Sequence, residues 1–600
     1  MCGIAAAFAP AGGIAIAALR EIAGRLAAAQ AHRGPDGAGD WDDGRHCALA
    51  HRRLAVIDLS PGGGQPMQSG DGRFHVSYNG EIYNFLALRS ELEALGHAFR
   101  SRSDTEVLLA AYTQWGGAAF ARLDGMFALA IYDARERRLV LARDRAGEKP
   151  LFYAWQDGML VAASELRAIA SLPGMRRDLD PQGVHDYLAL RYVPAPRTIL
   201  QGVRQLEPAT VLCVDRDGAE SSVPFFAFDR TVDPQPVPEP ELAERLEAAL
   251  LASLERRLIA DVPLGAFLSS GVDSSLVCAL AARRLRREIR TFCAGFAGGA
   301  EDETAASRRI AEALGLPHRQ YLISSDDLLG VARGFGPLLD EPNGDRSCVP
   351  VHLLAREMRR ELTVAVSGDG GDELFCGYDR YLAFDRVRRN RRPEGAIGAL
   401  ELYYEQLLPV FPPSALRALF PAEHAAWREE FLALYGTVIE RSGWNGAQRL
   451  SVLDYHSYLP GAVLAKVDRM AMRHALEVRT PFLEPDVMAF AAALPPALCG
   501  AGEPLKPLLR RVLARYLAPE LTAPRKIGFG MPQAFMQAHR ASFDAMLRAA
   551  CETLRATEFF RARPAVLERL AALAPGNGNS LWALTVLGMW CEANGLARAR

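Results

Sequence analysis

A cysteine stands at position 2, directly behind Met1. Once Met1 is removed, its thiol lies beside a free α-amine that accepts the thiol proton, directly or through water, and the thiolate then attacks an amide carbonyl. Donors for the resulting oxyanion occur in YNGEIYNF, as the Asn79 side-chain amide and the Gly80 backbone N–H. Arg53 in HRRLAVID offers a partner for a carboxylate, and Asp104 in SRSDTEV one for an ammonium. Glu81 sits beside the oxyanion residues. These opposed charges suit the two ends of glutamine and leave its side-chain amide for Cys2. His32 in HRGPDG is the competing base, but no local segment pairs it with the thiol.

A second group of residues suits a nucleotide. In VPLGAFLSSGVDSSLVCAL an apolar run ends at Leu268 and passes through Ser269, Ser270, Gly271, Asp273 and Ser274 into a helical pattern. Gly271 permits close approach of a phosphate, and backbone N–H groups with the serine hydroxyls satisfy its oxygens. Asp273 suits a magnesium ion. A second turn, in TVAVSGDGGDELF, supplies Ser367, Gly368, Asp369 and Asp372. Asp273 and Asp372 read as joint magnesium ligands, and Asp369 as the group that orients an incoming nitrogen nucleophile or takes its proton. The turn lacks the GxxxxGK[ST] pattern of γ-phosphoryl transfer, which favours attack at the α-phosphate of ATP with release of pyrophosphate. Lys466, in AVLAKVDRM, is one of only four lysines and offers positive charge to the transition state, with Asp468, Arg469, Glu477 and Arg479 shaping its surroundings.

The elements that position these groups divide the 600 residues into two large parts. Up to residue 209, short alternating runs such as RFHVSYNG, MFALAIYD and RLVLARD are punctuated by Gly and Asp, with amphipathic helices between them, which predicts an α+β sandwich. VDPQPVPEPEL, with four prolines, marks a connector, and residues 210–240 read as linker. From 241 to 600, β-favouring runs lead into Gly, Ser and acidic turns between helices, the pattern of a parallel α/β domain whose ligands gather at the carboxyl ends of the strands.

Composition narrows the function classes. Sixty-nine basic and 71 acidic residues nearly cancel, so no global field gathers nucleic acid or an anionic membrane. Ten cysteines without a CxxC pair read as reduced thiols, which predicts a cytoplasmic protein without a cysteine-rich zinc site. Charges and breakers interrupt every apolar run before membrane-spanning length.

The motifs CGI at Cys2, HRGPDG, HRRLAVID, YNGEIYN, SRSDTEV, DRAGEKPL and AASELRAI together resemble the class II glutamine amidotransferase domain of the asparagine synthetases. SSGVDSS, SGDGGDELFCGYDRY, the block around Lys466 and RKIGFGMP resemble the synthetase domain of the same family. The resemblance implies an N-terminal-nucleophile (Ntn) hydrolase sandwich followed by an α/β PP-loop ATP pyrophosphatase-like domain with added helices. It implies Cys2 as nucleophile, Asn79 and Gly80 as oxyanion hole, and Arg53, Glu81 and Asp104 as glutamine-binding residues. On the ATP side it implies Leu268, Ser269, Ser270, Gly271, Asp273, Ser274, Ser367 and Gly368, with Asp372 on magnesium and Asp369 and Lys466 in catalysis. The implied reaction consumes ATP and glutamine to amidate a carboxylate through an acyl adenylate, with aspartate as the leading acceptor and a homodimer as the assembly. A natural-product or cell-surface carboxylate is the alternative acceptor, and a catalytically silent binding protein the alternative class. Three departures bear on the acceptor end: Asp369 where glutamate is frequent, Cys376 where glycine is common, and the wording EPNGDRSCVP from Glu341.

Overall fold

The computed structural model describes the chain apart from residues 231–236, 297–302, 392–394, 396–397, 400–401, 404–409, 441–443, 501–503, 523–528 and 598–600. Residues 232–236 of the proline connector and residues 525–528 of RKIGFGMP therefore lie outside the described residues.

The N-terminal half contains two six-stranded sheets. The first runs, in spatial order, Val203–Gln205, Phe152–Gln156, Met159–Ala163, Gly3–Phe8, Cys47–Arg53, Gly37–Asp42. The second runs Glu220–Pro224, Thr210–Val214, Arg138–Arg143, Gly125–Asp133, Phe74–Ile82, Met67–Gln68. Period-two alternation explains how they stack. Ile4, Ala6 and Phe8 meet Ala128, Ala130, Leu139 and Leu141 between the sheets, while Ala5 and Ala7 face the Ile16–Ala29 helix. On the other side, Phe74, Val76 and Tyr78 pack on the Phe85–Ala94 and Asp104–Trp115 helices, leaving Ser77, Asn79 and Glu81 on the inter-sheet face.

One expectation is corrected here. Residues 210–224, read from the sequence as linker, form the last two strands of the second sheet; Val211–Val214 pair with Leu139–Ala142 of the neighbouring strand. The outer strand, ESSVP, is exposed along its whole length, so it carries no apolar alternation that would announce it. Its Pro224 is acceptable because a sheet edge needs no further donors.

The C-terminal half is built on one five-stranded parallel sheet, ordered His318–Ile323, Arg290–Phe296, Leu264–Phe267, Val364–Val366, Glu477–Arg479. The two central strands end immediately before Leu268 and Ser367, which puts both Ser/Gly/Asp turns side by side at the carboxyl edge of the sheet. Added helices, including Asp379–Arg391, Pro421–Glu440, Gly446–His456 and Arg540–Ala556, surround this core. The largest apolar cluster runs through both halves, joining Phe152, Tyr187 and Ile199 to Leu353, Trp582 and Trp590.

Candidate active sites

The first site lies between the two N-terminal sheets. Asn79 accepts the backbone N–H of Cys2 at 2.7 Å through Oδ1, while its Nδ2 is buried with no hydrogen-bond partner among the described residues. A buried amide donor without an acceptor is costly unless a ligand oxygen fills the place, which is the requirement of an oxyanion hole. At Gly80 any Cβ would collide with the Met126 carbonyl on the paired strand, so only glycine lets the strands approach here. The Cys2 thiol lies 4.0 Å from the Leu54 carbonyl, and burial pushes its pKa up. Met1 is present, its ammonium buried against Glu477 Oε2 at 2.8 Å. His51 is held neutral by burial, with its pKa down at about 3, and bonds Ser77 Oγ at 3.0 Å.

The three residues expected to bind glutamine are placed differently from one another. Arg53 donates to the backbone carbonyls of Ser60 at 3.0 Å, Ile57 and Asp58, holding the 57–63 loop, and forms no ion pair among the described residues. Glu81 is buried with Oε1 3.5 Å from Arg479 Nη2; burial, Glu477 and Asp104 push its carboxyl well above the usual range, and Oε2 has no hydrogen-bond partner among the described residues. Asp104 starts a helix capped by Ser103 and accepts Tyr78 Oη and the Ile82 N–H, each at 2.9 Å. Two of its lone pairs thus hold the strand that carries Asn79.

The second site is a cavity of about 830 Å³ at the carboxyl edge of the parallel sheet. Leu268, Ser269, Gly271, Asp273 and Ser274 line it on one side, and Ser367, Gly368, Asp369 and Asp372 on the other. Ser270 is buried in the turn and does not line the cavity. Gly271 caps the Val272–Arg283 helix, so the helix N-terminus opens on the cavity. The turn is held by Ser269 Oγ, 3.0 Å from Ser274 Oγ and accepting the Gly271 N–H at 3.1 Å. Asp369 accepts Ser367 Oγ at 2.8 Å.

Asp273 and Asp372 converge as expected, and a residue that sequence reasoning left without a role stands between them. Lys506 Nζ is 2.5 Å from Asp273 Oδ2 and 2.5 Å from Asp372 Oδ1. Gly377 has no Cβ because one would collide with Lys506 and Asp372, and a Cβ at Gly371 would come within 2.8 Å of the Asp273 carboxyl carbon. Two carboxylates converging on one cation, in a glycine-lined cradle beside a phosphate turn, fit the oxygen-only donor set of magnesium, which takes one or two carboxylates and completes its shell with phosphate oxygens and water. Lys466 sits further along the cavity, 3.4 Å from Asp345 Oδ2; burial works to lower the lysine pKa, but Asp345, with Tyr458, Asp369 and Cys348 adding to it, raises it.

The residues around Lys466 mostly serve the other site. Asp468 pairs with Arg33 Nη2 at 2.9 Å, and Arg33 Nε donates to the Cys2 carbonyl at 3.0 Å. Glu477 bonds Met1 and, at 2.7 Å, Arg479, which faces Glu81. Arg469 instead lies 3.6 Å from both Asp340 and Glu341. Arg33 appeared in the sequence only as a turn neighbour; nothing local announces that it links two sites.

Comparison with known proteins agrees with this two-site architecture. Residues 1–225 match the glutamine amidotransferase domain family, and residues 245–592 match the asparagine synthase family. The chain belongs to the asparagine synthase family. Among its relatives, the glutamine-hydrolysing asparagine synthetase 1 of Bacillus subtilis is 30% identical over 528 residues, covering 84% of this chain and 82% of that protein. Asparagine synthetase 3 of the same organism is 29% identical over 537 residues, with 84% and 83% covered. An amidase of Gibberella zeae is 26% identical over 531 residues, with 78% of each chain covered. This family member is an enzyme, a glutamine-hydrolysing, ATP-dependent amidotransferase, with an Ntn-type α+β domain and a PP-loop α/β domain. Among the described residues no helix is long and apolar enough to cross a membrane.

Proposed function

We propose that this enzyme amidates aspartate to asparagine, taking nitrogen from glutamine and releasing glutamate, AMP and pyrophosphate. The observation that carries the reading is the pairing of an unfilled amide donor beside Cys2 with a phosphate turn and paired carboxylates in the same chain. In the first half-reaction, the Cys2 thiolate of the Met1-processed chain attacks the glutamine side-chain carbonyl. Asn79 Nδ2 and the Gly80 N–H stabilise the oxyanion, ammonia leaves, and water resolves the thioester. Arg53 takes the substrate carboxylate, and Glu81 and Asp104 stand at the amine end.

In the second half-reaction the acceptor carboxylate attacks the α-phosphate of ATP, pyrophosphate departs, and ammonia displaces AMP from the acyl adenylate. The Ser269–Ser274 turn, with Ser367 and Gly368, holds the phosphates. Asp273 and Asp372 would hold magnesium, which neutralises charge on the departing pyrophosphate. Lys466 supports the transition state, and Asp369 orients the nitrogen nucleophile. Ammonia must stay unprotonated between the sites, and an apolar cluster that includes Leu54, Val56, Met126, Val364 and Met472 lies between them; Val364 belongs to the strand that ends just before Ser367.

The test supplies ATP, magnesium, aspartate and glutamine labelled with nitrogen-15 in the side chain, and follows products by mass spectrometry. Labelled asparagine with one AMP per turnover is expected. Cys2→Ala should abolish use of glutamine and leave synthesis from added ammonia within about tenfold of wild type, since only the nucleophile is removed. AMP release without labelled asparagine would reject the aspartate reading.

A further inference from the structure

The pairings inside the 830 Å³ cavity divide it into two charged ends. At one end Lys506 bridges Asp273 and Asp372 beside the phosphate turn. At the other, Lys466 pairs with Asp345 and feels the charge of Asp369. Arg191 also lines the cavity, and its charge acts on Asp345 and on the Cys348 thiol, which places its guanidinium at the Lys466 end.

The backbone of Arg191 is clamped. It ends the Pro181–Leu190 helix in the left-handed region, at φ 74° and ψ 3°, a conformation with a steric cost for a residue that has a Cβ. Its N–H donates to the Tyr187 carbonyl at 2.7 Å, and its carbonyl accepts the Gly344 N–H at 2.8 Å. A Cβ on Gly344 would lie 3.2 Å from Arg191 Cβ and 3.2 Å from Tyr187 Oη, so glycine gives this close approach its room. The loop that carries Asp345 is thereby fixed to Arg191. The guanidinium itself is half-buried yet makes no hydrogen bond and no ion pair to any described residue. Five donors held at the wall of a partly desolvated cavity suit a planar anion. The phosphate end already has its own serines, helix N-terminus and lysine, so the anion that remains to be matched is on the acceptor.

We propose that Arg191 anchors the non-reacting carboxylate of the acceptor acid and so restricts the enzyme to acceptors with a second anionic group. The assignment rests on the aspartate reading above and narrows it: the β-carboxyl is activated while the α-carboxylate is held. Arg191 is a specificity-determining residue and takes no part in bond making.

The test uses added ammonia as nitrogen source, which removes the glutaminase site from the measurement, and compares aspartate with β-alanine, which lacks the α-carboxylate. Arg191→Gly accepts the left-handed backbone and Arg191→Lys keeps the charge. In Arg191→Gly the KM for aspartate should rise roughly ten- to a hundredfold, the loss of a charge-assisted bidentate pair, while the KM for ATP stays within about twofold. The preference for aspartate over β-alanine should shrink by the same factor, and Arg191→Lys should recover part of it. An unchanged aspartate KM, or an ATP KM rising in step with it, overturns the assignment. A wild-type protein that amidates another acid but not aspartate overturns the aspartate reading alone. The same comparison, made between that acid and its analogue lacking a second carboxylate, then decides Arg191, and the assignment falls if the accepted acid has only one carboxylate.

Discussion

At the scale of single residues, Asn79 shows how one side chain does two jobs with its two ends. Its Oδ1 fixes Cys2 through the backbone, and its Nδ2 is buried without a partner among the described residues, where the proposed reaction puts an oxyanion. Asn79→Asp keeps the acceptor and replaces the donor with a charge that repels an oxyanion. The kcat for glutamine hydrolysis should therefore fall at least roughly 10²- to 10³-fold, while synthesis from ammonia persists. A variant hydrolysing glutamine at the wild-type rate would remove Asn79 from the oxyanion hole. That Cys2 and Asn79 come together was legible because each stands in a short motif of its own. Lys506 was not. Its partner Asp273 lies 233 positions away, and the GEPLKPLLR segment has no pattern of its own that marks a ligand. The scarcity of lysine was the one available signal. Asp104 was read as a partner for an ammonium, and its Oδ2 accepts from Tyr78 and Ile82, a commitment visible only once strand and helix are in contact.

At the scale of elements, the amphipathic pattern was readable where one face of a helix is buried, as in Phe85–Ala94 with Phe85, Leu88 and Leu92 inside. The order of strands in three sheets was not, because each pairing joins segments that local pattern cannot connect, and the exposed Glu220–Pro224 strand read as linker for the same reason. One joint between elements makes a prediction about pH. Arg256 and Arg257, at the end of the Glu239–Arg257 helix, pair with Glu484 and face Asp124 from the N-terminal half. Burial would raise Glu484, but Arg257, a bond from Asp124 and Arg256 bring it down to about 2. Its stabilising contribution is thus full above the ordinary glutamate pKa of about 4.3 and is lost as pH falls toward 2. Asp124 goes the other way: burial, against the pull of Arg257 and with Glu484 adjacent, lifts it to about 8, so it removes stability as pH rises from about 4 through 8. Thermal unfolding across this range should show Glu484→Gln less stable by about 3 kcal/mol at pH 7, since it removes the nearer acid of both arginines and leaves them only Asp124, with a flatter acid limb. Asp124→Asn should instead flatten the decline toward pH 8. Identical pH profiles in both variants and wild type would discard this account.

At the scale of the whole molecule, the two sites share parts. The Ala465–Met472 helix presents Lys466 to the cavity at the edge of the parallel sheet and, two residues on, Asp468 to Arg33, whose Nε holds the Cys2 carbonyl across 31 positions of the N-terminal half. The adjoining edge strand does the same: Arg479 O accepts the Ser367 N–H at 2.9 Å, while the side chains of Glu477 and Arg479 reach Met1 and Glu81. Because interiors are close-packed, the buried Asp468–Arg33 pair is a contiguous contact through which a shift of Lys466 would reach Cys2. Arg33 is wholly buried, with Glu165 as its second acid at 3.4 Å, so Asp468→Asn leaves it partly balanced and the fold should survive with a loss of about 3 kcal/mol or less. The expected functional change is in the ratio of products. Wild type should make about one glutamate per amide, whereas Asp468→Asn should make several, because glutamine hydrolysis is no longer held in step with acceptor activation. Glutaminase activity measured alone and synthesis from ammonia should each stay within about tenfold of wild type. If the ratio stays at one while stability falls, the pair is a structural tie only; if Arg33→Lys combined with Asp468→Asn gives strictly additive stability losses, the two side chains do not act together.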